Sequence, residues 1–240
     1  MRRRNPHAGL VVFWVKLRRR GYTRSVTGLY RVLIKLGKMA VEPPNPKYIP
    51  KPYEQVQYPG QRIQIDVKFV PAVCIACNEG GKKFYQYTAI DEYSRYRYLE
   101  GFEENSTYSS AQFALHVIEH FAMLNIKVEC IQTDNGFEFT KWFGGSRNDP
   151  TLFEQMLRQH GVKHKLIRPY TPRHNGKVER SHRKDNEYFY ATHKFYSFDD
   201  FKKQLAVHTR KYNNFPMRPL KWKSPREYLR CFLETGEVFF

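Results

Sequence analysis

The sequence predicts an α/β fold, a mixed sheet flanked by helices, with a small helical element in front of it. Three observations carry that expectation. Three consecutive strand patterns follow residue 60, helical and strand periods then alternate, and the first forty residues show helical spacing without strand alternation. The order βββαβαβα calls for a sheet covered by helices. At 240 residues, with 41% hydrophobic and 16% aromatic composition, the chain is large enough to bury one such core.

Residues 1–41 read as two short helices. VVFWVKLRRR is followed by a break at Gly21, Ser25 or Thr27 serves as a cap, and GLYRVLIKLG runs to Gly37. The second helix is expected to place Leu29, Val32, Leu33 and Leu36 on one face, with Arg24, Arg31 and Lys35 carrying charge elsewhere. Such a pair suits a helix-turn-helix element whose second helix reads DNA; a basic helical hairpin that only packs is the alternative. Residues 42–60 hold six prolines and one glycine and form no regular element, so they are expected to be a linker.

Residues 61–192 carry the predicted core. QRIQIDVKFV alternates as a strand, and KFYQYTAID and RYRYLEGFE follow with a turn around Glu92 to Arg95. A helix from Ser109 to about Leu124 has Phe113, Val117, Phe121 and Leu124 as its apolar stripe. The strand KVECIQT, the helix TLFEQMLRQHG, the strand VKHKLIRP and a long amphipathic helix from about Lys177 complete it. Residues 193–240 read as a helical tail.

Charge is the outlier in composition. Lys and Arg number 41 against 23 Asp and Glu, a net +18, with a sequence pI of about 9.8. Residues 1–60 alone contribute +11, having only Glu42 and Glu54 as acids. Such a field favours a polyanion, and nucleic acid is the usual one, with a solvated basic face or an anionic-membrane contact as the alternatives. Four cysteines make no disulfide framework, so a reducing cytoplasm with nucleoid association fits better than secretion. Cys74 and Cys77 form a CxxC with no second pair at zinc-finger spacing. LVVFWV is too short to span a bilayer, and no membrane association is expected.

IQTDNGFEF raises the question of function. Asn135 and Gly136 suit a tight turn with positive φ, a hairpin for instance. Asp134, however, stands at the C-terminal tip of a buried strand, where open α/β sheets carry chemistry. Asp66 lies in the middle of the first strand. With Asn175 as a helix cap, Glu179 falls in the first or second turn of the last core helix. If the first and fourth strands are neighbours, Asp66 and Asp134 come together and the helix brings Glu179 across. Packed carboxylates need protons or divalent cations, and hard oxygen ligands suit Mg²⁺ or Mn²⁺, two ions in the arrangement that serves phosphodiester chemistry. Asp91 is the rival first acid, Glu179 could instead pair with Arg183 on a helix surface, and Glu138 reads as strand or loop surface.

QIDVKFV, IQTDNGFEF and HNGKVERSHR resemble the three signature segments of insertion-sequence transposases with a retroviral-integrase-type catalytic core, the ribonuclease H-like DDE family. The likeness runs from about Gln61 to Tyr228 and includes YNNFPMRPLKWKSPREYL. The resemblance implies Asp66, Asp134 and Glu179 as catalytic, metal-binding residues. It also implies metal-dependent cleavage and transfer of a 3′-hydroxyl into target DNA, and a homo-oligomer that holds two DNA ends. In this family pattern the 44 residues between Asp134 and Glu179 require an insertion, for which KWFGGSRND is the expected place. Lys177, Arg180, Arg183 and Lys184 are candidate phosphate contacts on the same helix. His174 is undecided between DNA and loop backbone, and Tyr212 and Asn213 are expected to pack on the core. A catalytically silent DNA-binding fragment acting as repressor, or a ribonuclease H-type nuclease, are the competing assignments.

Overall fold

The computed structural model describes residues 9–39, 54–76, 81–141, 149–167 and 175–236. They fall into two compact units, divided between Tyr53 and Glu54.

The first unit is a helical pair, α1 (Leu10–Arg18) and α2 (Val26–Lys35). Phe13 of α1 packs against Leu29 and Leu33 of α2, with Trp14 at the margin donating its indole N–H to the Arg24 carbonyl at 2.8 Å. Ser25 is the cap, its hydroxyl accepting from Gly28 N at 3.1 Å. The apolar stripe is narrower than expected: Val32 is 41% and Leu36 61% exposed. Two short helices can enclose only the line along which they touch, and Leu29 and Leu33, one turn apart, fill it.

The second unit contains β1 (Ile63–Phe69), β2 (Tyr85–Asp91), β3 (Arg97–Phe102), α3 (Thr107–Met123), β4 (Cys130–Thr133), α4 (Leu152–Gln159), β5 (Lys163–Leu166), α5 (Gly176–Asp185), α6 (Phe198–Asn213) and α7 (Pro225–Thr235). The five strands form one mixed sheet in the order β3-β2-β1-β4-β5. β1 is antiparallel to β2 and parallel to β4, as the crossover through α3 requires.

The strand period of two divides this sheet by chemistry. Ile63 and Ile65 of β1, Tyr87 and Ala89 of β2 and Ile131 of β4 are buried with Phe113, Val117 and Phe121 of α3 and Phe153 and Leu157 of α4. The alternate residues, Gln64, Asp66, Gln86 and Thr88, face α5 and hydrogen-bond or pair with it and one another. A second apolar cluster joins Phe84 and Leu99 to Phe195, Phe201 and Leu205, so α6 is part of this unit's core. Gly101 of β3 permits the contact, because a Cβ there would stand 2.6 Å from the Phe201 ring.

The long helix expected from Lys177 is interrupted. α5 ends at Asp185 and widens into a π-helical turn, Asn186–Tyr190, before the chain reverses into α6. Val178, Ser181 and Asp185 are buried at helical spacing, and continuing that period would bury Phe189 but carry Tyr190 around the helix. The wider turn brings both Phe189 and Tyr190 into the second cluster.

Candidate active site

β1 and β4 set the first two carboxylates by register. Ile63 pairs with Ile131 and Gln64 with Gln132, so two residues further on Asp66 and Asp134 correspond, on the same face of adjacent strands. Asp134 directly follows the last residue of β4. The turn after it is not a hairpin, since β5 runs parallel to β4, and neither Asn135 nor Gly136 has a positive φ. Side chains build it instead. Asp134 Oδ1 accepts from Gly136 N at 3.0 Å, and Asn135 Nδ2 donates to the Ile167 carbonyl at 3.1 Å. Gly136 is needed for space: a Cβ there would lie 2.6 Å from Glu138 Oε2.

The third carboxylate comes from α5. Asn175 is the N-cap residue as expected, although its side chain makes no capping hydrogen bond. The helix start is docked by other means. Val178 N donates to Gln64 Oε1 at 3.3 Å, and Lys177 Nζ donates to the Glu92 carbonyl and reaches Glu92 Oε1 at 3.4 Å. Glu179 is exposed in the first turn, and among the described residues it makes no ion pair with Arg183. His182, one turn on, lies with Nδ1 3.4 Å from Asp66 Oδ2 and Nε2 2.9 Å from the Thr88 hydroxyl. That hydroxyl also accepts from Gln86 Nε2, so Gln86, Thr88 and His182 form one polar chain that ends beside Asp66.

The electrostatics follow from this arrangement. Burial, then the Asp134 charge, push the Asp66 carboxyl up to about 7, with Glu179 and Glu138 adding to it and the Val67 N–H opposing. Burial and Asp134 likewise raise Glu179. His182 is pushed down to about 4 by burial, despite Asp185, and is a neutral imidazole. Glu138, which the sequence places on a surface, therefore belongs to the same acidic group; Asn105 Nδ2 donates to it at 3.3 Å. Its signal was the glycine two positions before it. Asp91 is different: it is fully buried and accepts from Gly60 N, Ser94 N and the Ser94 hydroxyl, a structural role.

Among the described residues no three His, Cys, Asp or Glu side chains close into a ready-made metal cage. The open group fits a hard divalent cation of the Mg²⁺ kind, which takes one or two carboxylates and keeps its remaining positions for water or phosphate. Mutual repulsion at Asp66 and Glu179 is what such a cation would relieve.

The candidate phosphate contacts divide. Arg180 and Arg183 are exposed on α5, while Lys184 is tied to Glu187 at 2.7 Å and lies over the Tyr188 ring. Lys177 is committed to Glu92. Arg24, Arg31 and Lys35 are exposed on the helical pair. His174, Cys77 and most of the expected insertion, residues 142–148, lie outside the described residues. Tyr212 and Asn213 do pack on the core: the Tyr212 ring stacks 4.0 Å from the Arg97 guanidinium, and Asn213 bonds both the N–H and the carbonyl of Arg97. No helix among the described residues is long and apolar enough to cross a membrane.

Comparisons with known proteins bear on the family and the fold. Two family models described as integrase core domain match residues 57–172 and 160–225. The ORF3 protein of Spiroplasma virus SpV1-C74, named as an integrase, is 28% identical over 172 residues; the match takes in 61% of this chain but only 45% of that protein's length. Among solved structures, the simian T-cell lymphotropic virus intasome in complex with a PP2A regulatory subunit aligns over 93% of this chain and 71% of its own, at 17% identity and TM-score 0.58. The catalytic core domain of BIV integrase aligns over 74% of this chain and 99% of its own, at 19% identity and TM-score 0.50. Together the matched models run from residue 57 to 225, so this part of the chain is an integrase core domain, with the ribonuclease H-like fold of the aligned structures.

Proposed function

We propose that this chain is a DNA transposase or integrase that cleaves and joins DNA strands with a divalent metal, using Asp66, Asp134 and Glu179. The observation that carries it is the register that sets Asp66 and Asp134 on the same face of adjacent strands, with Glu179 in the first turn of α5, the helix docked over that face. Mg²⁺ or Mn²⁺, two ions in the arrangement suited to phosphodiesters, supplies activation of an attacking oxygen and stabilisation of the leaving one. The chain's own residues bind and orient. Asp66 and Asp134 hold the centre from a rigid sheet, with His182 Nδ1 lying 3.4 Å from the Asp66 carboxylate. Glu179 closes the group from α5. Arg180 and Arg183 offer exposed guanidinium groups for phosphates of double-stranded DNA, and the helical pair adds Arg24, Arg31 and Lys35. Joining two DNA ends requires two active sites together, so the working form is a homo-oligomer on DNA.

Supercoiled plasmid incubated with Mn²⁺ or Mg²⁺ tests this, with nicked and strand-joined products scored. Glu179→Gln should lower both by at least about 100-fold while leaving DNA affinity intact. Equal activity of the variant would remove Glu179 from the site, and nicking without joining would reassign the chain to a hydrolytic nuclease.

A further inference from the structure

Two polar residues of the tail, Tyr212 and Asn213, converge on an ion pair that the catalytic assignment leaves unused. Arg97 and Asp185 are both fully buried. Arg97 Nη1 and Nη2 each donate to Asp185 Oδ1 at 3.0 Å, His208 Nε2 meets the same oxygen at 2.8 Å, and Gln86 Nε2 donates to Oδ2 at 2.8 Å. α6 supplies the rest of the setting. Tyr212 stacks on the guanidinium, and Asn213 grips the backbone of Arg97 with bonds of 2.9 and 2.8 Å. Burying two charges is costly, and replacing such a pair by apolar residues is often neutral for stability, so the arrangement is poorly explained as a stabilising device alone.

Its position in α5 suggests what it does. Asp185 is the last residue of α5, and Lys177, at the other end, is held by Glu92. Glu179 lies between these two anchors. A carboxylate on a helix stands about 6 Å from the axis, so a rotation of about 20° moves it by about 2 Å. Metal and catalytic groups need placement within about 0.5 Å. Lys177–Glu92 and Val178–Gln64 fix the start of the helix and His182–Thr88 its middle, and the Asp185–Arg97 pair, opposite in polarity to the first, fixes its end and with it the register.

We propose that the Arg97–Asp185 pair, set by α6, is the lock that orients α5 and so places Glu179 against Asp66 and Asp134; Asp185 is a positioning residue. The proposal rests on Glu179 being a metal ligand. It gives the α6 segment a part in the chemistry without any contact with DNA.

The test uses the full chain and measures Mn²⁺ affinity by calorimetry without DNA, plasmid nicking, DNA affinity and thermal melting. Asp185→Asn keeps the shape of the side chain and should weaken Mn²⁺ binding and nicking by about 10- to 100-fold, with DNA affinity unchanged. If it fails to fold, the double variant R97Q/D185N, which leaves no unpaired charge, carries the same measurements. The deciding arm is a cycle with Glu179→Gln: Asp185→Asn should reduce Mn²⁺ affinity in the wild-type background and have no further effect in the Glu179→Gln background. Wild-type Mn²⁺ affinity and nicking in folded variants, or equal losses in both backgrounds, would overturn the lock. A Glu179→Gln chain that binds Mn²⁺ and nicks normally would instead sink the catalytic assignment on which the lock depends.

Discussion

At Asp66 burial and three neighbouring carboxylates act in one direction, and only the Val67 N–H opposes them. A cation bound there converts that repulsion into attraction, so Mn²⁺ should stabilise the native chain. Ligand at about 100 times its dissociation constant adds about 2.7 kcal/mol. For a chain of this size that is a rise of about 5–10 °C in melting temperature. Asp66→Asn should lose the rise; a variant that keeps it would place the cation elsewhere. His164 gives a pH prediction of the ordinary kind. Burial pushes it down to about 4, with Glu154 opposing, while its Nε2 sits 2.9 Å from the Thr133 hydroxyl. Because the folded value lies below the unfolded one of about 6.5, the protonated unfolded state gains as pH falls. The stability it protects is present above pH 6.5 and is lost as pH drops towards 4, by up to about 3 kcal/mol. His164→Gln, which stays neutral, should therefore show a smaller loss between pH 7 and pH 4.5 in urea denaturation. Equal losses in both chains would show that His164 does not titrate in this window.

At the level of elements, the close approach of α6 to the sheet depends on what is missing from Gly101. Gly101→Ala should cost about 1–3 kcal/mol by overpacking against Phe201. Phe201→Ala alone should cost about 3–5 kcal/mol as a cavity. Combined, the alanine at 101 has room, so the double variant should be less destabilised than the two losses added, a coupling read from denaturation midpoints. Additive losses would mean that the two side chains do not compete for the same space. The elements themselves were legible because each rests on a local period: β1 alternates, α3 repeats at three and four, and Ser25 caps α2. The strand positions of Asp66 and Asp134 were legible for the same reason, as acids interrupting apolar runs. What was hidden depends on partners far along the chain. Arg97 and Asp185 are 88 residues apart, and in sequence each reads as a solvated charge. The break after Asp185 was hidden too, since the π-helical turn exists to bury Phe189 and Tyr190 together against a cluster completed only by α6. Glu138 was missed because its inward turn is set by Gly136, whose role looked purely conformational.

For the whole molecule the uneven charge sets a test of how DNA is held. Residues 1–53 contain 13 Lys and Arg and Glu42 as the sole acid, a net +12, which leaves +6 for the rest of the chain. If the helical pair meets phosphates, most of the salt-sensitive part of the affinity belongs to it. Each phosphate neutralised contributes about 0.9 to the slope of log affinity against log salt. Replacing Arg24, Arg31 and Lys35 together by Ala leaves the pair's buried contacts, Phe13 with Leu29 and Leu33, untouched. In the full chain this variant should bind plasmid DNA more weakly at every salt concentration, with the slope smaller by about 3. Its Mn²⁺ affinity should match the wild type, because the acidic group is assembled entirely from the second unit. An unchanged slope would mean that these three side chains do not meet phosphates. The DNA contact would then have to come from the remaining basic residues, with Arg180 and Arg183 beside the carboxylates as the first to replace.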